Sequence, residues 1–398
     1  MGEWKNVRVG ELGKIITGKT PKTSISDNYG GRIPFLTPSD NMSVKYVGKT
    51  SKTLTEKGLL EVKNAILPEN SVCVSCIGSD LGKAVITTCP TVTNQQINSI
   101  IVDEKSFDVS FVYYAMQILG KKMNFISKTS TAVPIVNKSS FSSYEIKCPP
   151  REDQKRIAAV LSALDSKIEC NKKINDNLEQ QAVALFKSWF VDFSLFGGTV
   201  PENWEDTTLE NITTLITRGI APKYSDNSDQ TVVNQKCIRN HTIDLSLART
   251  HTPTAINVKW LKFGDLLINS TGDGTLGRVA QVWFAPKALT VDSHVTIVRP
   301  AREELIFYIG LWGILHEKEI ESLHIGSTGQ TELPRDRVKK LKLLLPDNIS
   351  LSRFNSIIAP MASTIISNQE ENQKLASLRD TLLPKLMSGE IDVSSIQL

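Results

Sequence analysis

Two stretches of the chain place apolar residues at alternating steps of three and four, the spacing of long amphipathic helices. The first runs from Glu152 to about Trp189. Its seam is Ile157, Leu161, Leu164, Ile168, Asn171, Asn175, Leu178, Ala182, Leu185 and Trp189. The second runs from about Ile349 to Met387 and answers it at an offset of 197 (354 − 157). Its seam is Phe354, Ile358, Met361, Ile365, Asn368, Asn372, Leu375, Arg379, Leu382 and Leu386. Both seams hold two Asn at the same two positions. A buried Asn weakens a helix pair but fixes its register and its choice of partner. The Asn lie near mid-helix, so the pattern predicts an antiparallel pair with the Asn clusters opposed. About 35 residues at roughly 1.5 Å each would make a strut of about 50 Å. Pro360 lies inside the second pattern and predicts either a kink or a later helix start.

Ahead of each helix come about 150 residues of short, alternating, β-branched runs punctuated by turn residues. Strands are expected at Ser71–Ile77, Ala84–Thr88, Ile97–Val102, Asp265–Asn269, Arg278–Phe284 and His294–Val298. Shorter helices are expected at Val109–Leu119 and Glu303–Ile314. These segments repeat as well. Trp4 to Leu12 resembles Trp204 to Ile212, and Gly18 with Pro21-Lys22 answers Gly219 with Pro222-Lys223. Leu81-Gly82-Lys83 answers Leu276-Gly277-Arg278, and Thr131, Val133 and Pro134 answer Thr331, Leu333 and Pro334. The whole chain is one unit written twice, far longer than a solenoid repeat. The expected class is α+β: two β-rich domains separated by a pair of long antiparallel coiled-coil helices, with an internal pseudo-twofold duplication. Boundaries fall at 1–150 and 197–346 for the two β-rich domains, and at 151–196 and 347–398 for the helical segments.

Charge sharpens this picture modestly. Residues 1–150 hold 18 basic and 12 acidic side chains, against 17 and 17 in 197–345. The first module therefore permits contact with a polyanion. Six Cys follow no framework spacing, which points to a reducing compartment. Cys73 and Cys76 lack two further ligands nearby for zinc and read as structural thiols. Neither a signal peptide nor a membrane-spanning run is present, so the expected location is cytoplasmic.

Two enzyme motifs fail in context. Gly13 to Thr20 matches the phosphate-binding pattern GxxxxGK[ST], but Pro21 and a polar, glycine-containing stretch follow where a helix is required. Gly272 to Gly277 matches GxGxxG, but the β-like Arg278 to Phe284 follows it, so it reads as a strand-to-strand connection. No amino-methyltransferase tetrad occurs. The residues alone leave open a DNA-binding subunit, a protein-interaction scaffold and, through Lys19, a nucleotide-binding protein.

The helical segments Pro149–Asn171, Leu178–Phe193 and Leu375–Val393 resemble the two conserved regions of type I restriction–modification specificity subunits. The openings at Trp4 to Pro21 and Trp204 to Pro222 resemble the starts of that family's target-recognition domains. The resemblance implies a non-catalytic chain that binds double-stranded DNA at a bipartite, asymmetric site. It implies docking of two adenine-methyltransferase subunits and, through them, restriction motor–nuclease subunits, with no membrane partner. It also implies no cofactor in this chain; S-adenosylmethionine, ATP and Mg would sit on the partners. The helices would then set the distance between half-sites. Phosphates are met by Lys, Arg, Ser, Thr and amides, and bases by Arg, Lys, Asn and Gln. The repeat nominates Lys19, Thr20, Lys22, Lys83, Lys128, Ser130 and Thr131 in the first module. In the second it nominates Arg218, Lys223, Thr275, Arg278, Ser327, Gln330 and Thr331.

Overall fold

The strand Ile97–Val102 has an apolar or small residue at nearly every position, as a strand covered on both faces should. It is the second of five strands in the first module's central sheet. Gly13–Thr17 and Ser71–Ser75 flank it, both antiparallel. Ala84–Thr87 then pairs with Ser71–Ser75, and the short Tyr46–Val47 closes the order. A computed structural model supplies these coordinates; it describes residues 3–78, 80–128, 135–272, 274–326 and 331–397, with backbone alone at 127 and 128. Within it the chain divides into two compact units, Met1–Cys170 with Glu371–Leu398, and Asn171–Glu370. Each unit takes one β-rich module and half of each long helix.

In the first unit, one face of the central sheet packs on the helix Val109–Lys128 and on the long helices. Val72, Val74, Ile86 and Ile100 meet Phe111, Tyr114, Ile157, Leu161 and Leu386 in one core. The other face covers a smaller core of Leu36, Met42, Cys73, Val85 and Ile97. Cys73 and Cys76 therefore face opposite sides of the sheet and cannot hold one ion together. Burial pushes the Cys73 thiol up to about 12, so it stays protonated. The expected end of the helix at Leu119 is corrected: it continues through Gly120. Glycine is required there for packing, because a β-carbon would overlap the carbonyl of Gly82 on the connection it crosses.

The second unit repeats the plan. Thr213–Arg218, Val295–Pro300, Leu266–Asn269 and Val279–Gln281 form a four-stranded antiparallel sheet. One face packs on the helix Ile306–Leu315 and the long helices, the other on Val233, Ile238 and Leu261. The GxGxxG stretch joins two strands of this sheet, as its β-like context indicated.

The long helices are Arg151–Phe190 and Asn348–Ser388, and in each unit their halves run antiparallel. In the first unit Asp165 meets Arg379 at 2.9 Å and Lys167 meets Glu371 at 3.2 Å. In the second unit Asn368 Nδ2 donates to Asn175 Oδ1 at 2.8 Å, and Asn175 Nδ2 to the Ile365 carbonyl at 3.3 Å. Every seam position named from the sequence is buried or half-buried, Leu164, Leu178, Leu185, Asn372, Leu375 and Leu382 among the latter. Arg379 breaks the apolar pattern because Asp165 faces it; the repeat-equivalent positions, Ala182 and Ala362, are both small and buried. A later start at Pro360 is also corrected. The second helix begins at Asn348, where Asp347 caps it by accepting from the amides of Ile349 and Ser350. Pro360 sits on the exposed face, where water can reach the carbonyl four residues earlier. Among the described residues no helix is long and apolar enough to cross a membrane.

Candidate nucleic-acid interface

Each central sheet has two unlike ends. One end receives the N-terminus of a long helix. In the first unit Gln154 Oε1 accepts from the Asp108 amide, and Arg151 donates to the Glu104 carbonyl. In the second, Asn355 donates to the Glu304 carbonyl and Arg302 to Asn348 Oδ1. That end carries exposed Glu69, Asp103 and Glu104 in one unit and Glu210, Glu303 and Glu304 in the other. Arg151, Lys105 and Arg302 lie at the same end and Lys339 pairs with Glu210 at 2.8 Å, so charges of both signs meet there.

The opposite end gathers loops that are far apart in sequence. In the first unit it collects the segment after Thr17, the turn at 94–96 and the connection from Cys76 to Lys83. Four backbone bonds tie them. Gly18 N–H donates to Ile97 O, Cys76 N–H to Gln96 O, Gly82 N–H to Ser75 O, and Val136 N–H to Cys76 O. The second unit repeats the frame: Gly219 to Val295, Ser270 to His294, Gly277 to Asn269 and Leu333 to Ser270. The sequence repeat is thus a repeat of hydrogen bonds at one sheet end, where Lys19, Thr20, Lys83, Arg218, Thr275, Arg278 and Thr331 gather among the described residues.

The nominated side chains have different environments. Lys19, Lys22 and Lys223 are exposed and make no ion pair among the described residues. Arg278 is half-buried and likewise unpaired. Lys83 is paired with Asp80 at 2.6 Å. Arg218 is engaged inside the protein, with Glu332 at 2.8 Å and the Leu333 carbonyl at 3.0 Å. Its guanidinium clamps the edge bridge between Thr271 and Glu332. Thr275 closes its own turn by donating to the Gly272 carbonyl. Thr331 is half-buried beside that bridge. Lys128 ends its helix, with its side chain outside the described residues; Ser130, Thr131, Ser327 and Gln330 also lie outside them.

The turn at 94–96, and its counterpart at 292–294, was not nominated. Both start with a side chain that accepts the amide two residues on: Asn94 from Gln96 at 3.1 Å, Asp292 from His294 at 2.9 Å. Each turn displays one exposed polar side chain tethered by a threonine from a neighbouring loop. Thr20 Oγ1 donates to Gln95 Oε1 at 2.6 Å, and Thr271 Oγ1 shares a 2.7 Å hydrogen bond with His294 Nδ1. The sequence signal was present as an Asx residue two positions before a strand-edge amide, but its display at this sheet end depends on strand order.

A separate cavity of about 570 Å³ in the second unit is lined by Glu179, Val183, Trp283, Leu311 and Leu315. Burial, reinforced by Asp176, pushes the Glu179 carboxyl up. Lys187 and His241 line it as well, so the cavity mixes apolar groups with charges of both signs.

Residues 1–180 match the model of the type I restriction modification DNA specificity domain. The type I restriction enzyme MjaIX specificity subunit of Methanocaldococcus jannaschii is 28% identical over 424 residues, covering 99% of this chain and 95% of that protein. The HindI specificity subunit of Haemophilus influenzae is 32% identical over 180 residues, 44% of this chain and 39% of its own length. The crystal structure of the type I restriction–modification S subunit from M. genitalium shares the fold. Its TM-score is 0.56 at 16% identity, with 97% of this chain and 96% of that one covered.

Proposed function

We propose that the chain, whose residues 1–180 match the type I restriction modification DNA specificity domain, is a specificity subunit that recognises DNA sequence and reads a bipartite, asymmetric duplex site, one half per β-rich module. The observation that carries this is the paired loop frame. The same four hydrogen bonds recur at one end of each sheet, yet they carry different side chains. A shared frame with unlike polar residues suits two readers of different base sequences.

The reading extends to the assembly. The chain docks two adenine-methyltransferase subunits and, through them, the restriction motor–nuclease, and performs no catalysis itself. S-adenosylmethionine, ATP and Mg belong to those partners, and the complex acts in the cytoplasm where DNA is reached. The length of the long helices sets the number of bases between half-sites.

The test is duplex binding by the chain with its methyltransferase partner across a salt series. The expected result is sequence-specific binding whose affinity falls steeply with salt, by roughly 0.9 in log–log slope for each phosphate contacted. Absence of duplex binding with the partner present would contradict the proposal.

A further inference from the structure

We propose that Gln95 is a specificity-determining residue of one half-site, reading an acceptor-bearing base edge, and that His294 on the equivalent turn is a specificity-determining residue of the other. This rests on the two-reader function proposed above. The argument begins with satisfied atoms. Gln95 is exposed, but its Oε1 is taken by the Thr20 hydroxyl at 2.6 Å. Its Nε2 meets no acceptor among the described residues, which leaves two N–H donors on an exposed side chain. In the major groove, guanine presents O6 and N7 as adjacent acceptors and thymine presents O4, whereas cytosine presents a donor. The tethered amide therefore favours guanine or thymine over cytosine. A freely rotating Gln would pair bidentately with adenine instead.

Placement supports the same conclusion. Gln95 sits on the sheet end opposite the helix junction, and the exposed Lys19, which makes no ion pair among the described residues, directly precedes the Thr20 that holds it. That lysine suits a flanking phosphate, which fixes register without reading sequence. The turn holding Gln95 is itself held: Asn94 Oδ1 accepts from the Gln96 amide, and Gln96 O accepts from Cys76 N–H. A reader loses least entropy on binding when it is already oriented. In the second module the turn 292–294 has the same hold, through Asp292 and Ser270. Its displayed side chain lies one residue further on and is an imidazole, His294, tied to Thr271. The two modules thus offer different chemistry from one frame. Thr20 and Thr271 are positioning residues, since they orient the readers and need not meet DNA themselves.

The experiment uses the full chain with its methyltransferase partner on a library of randomised duplex sites, read by methylation-sensitive sequencing. The unaltered complex is profiled first. If it methylates no bipartite motif, the functional reading itself fails, separately from this proposal. Gln95→Ala is expected to relax one base position in one half-site by about 5- to 150-fold, the range for a good base contact. Gln95→Glu replaces donors with acceptors and should move that position towards cytosine or adenine. His294→Ala should relax one position in the other half only. Thr20→Val should weaken the Gln95-dependent preference, and Thr20→Ser should restore it. An unchanged profile in a Gln95 variant that keeps the wild-type Tm would overturn the proposal. So would changes in both half-sites together, or a loss of methylation alike at every sequence.

Discussion

The Asn pair on the long helices gives a test with opposite signs for single and double replacement. Asn175 is 7% exposed; its Oδ1 accepts from Asn368 at 2.8 Å, and its Nδ2 donates to the Ile365 carbonyl at 3.3 Å. Asn368→Leu removes one bond and strands a buried carbonyl oxygen, which costs about 1–3 kcal/mol. The new Leu recovers roughly 1 kcal/mol at a half-buried site, about half the value for full burial. The expected net loss is about 0–2 kcal/mol, centred near 1. Asn175→Leu removes both bonds, but it leaves a half-buried Asn368 amide and a carbonyl still served by its own helix, so its loss should stay under about 1 kcal/mol. The double variant leaves no stranded group and buries two Leu. It should match or exceed the parent, giving a coupling of at least about 1 kcal/mol. Urea unfolding, with the signal of the tryptophans in the second unit, measures all four proteins. Additive singles, or a double variant less stable than either single, would refute the account of this contact.

Asp347→Ala should destabilise the second unit by about 1–2 kcal/mol, since the carboxylate caps the helix and also accepts from Trp204 Nε1 at 2.8 Å. Burial alone would raise its pKa, but bonds from Ser350, Trp204 and Ile349 outweigh burial and hold it at about 2 against an ordinary 3.8. The stabilisation is therefore present above pH 3.8 and lost as pH falls through 2, so parent and variant unfolding curves should converge in acid. Gly120→Ala should cost about 2–3 kcal/mol despite alanine's better helix propensity, because the new methyl overlaps the Gly82 carbonyl; a rise in Tm would contradict that packing. Lys19→Ala and Lys22→Ala should each flatten the salt dependence of duplex binding by about 0.9 with the motif unchanged. Arg218→Ala should instead lower folding stability by about 1–3 kcal/mol, since its guanidinium serves Glu332 and Leu333.

Periodicity carried the helices because burial selects one stripe, and the seam from Ile157 to Trp189 is buried or half-buried at every step. The β runs were equally legible where both sheet faces are covered, as at Ile97–Val102. Helix ends were less so. The expected helix ended at Leu119, and only the close crossing of Gly82 explains why the helix carries glycine at the next position. Pro360 read as a kink or a later start because the sequence does not say which face meets water. Among the nominated interface residues, charge was legible and pairing was not. Lys19 and Arg218 look alike in sequence, yet among the described residues one makes no ion pair and the other is held by Glu332. The turns carrying Gln95 and His294 escaped notice because antiparallel strand order, set by contacts across some 80 residues of chain (Thr17 to Asn98, 81 apart), brings them to the same sheet end as Thr20 and Thr271.

The central claim is that each module reads its own half of a bipartite site. It is tested most directly by exchanging residues 1–150 for the corresponding module of another family member. The DNA methylated in cells expressing the hybrid with its methyltransferase is then sequenced. The account predicts that one half of the motif changes while the other half and the spacing between them stay as they were. A simultaneous change in both halves, or a motif unaltered by the exchange, would contradict it.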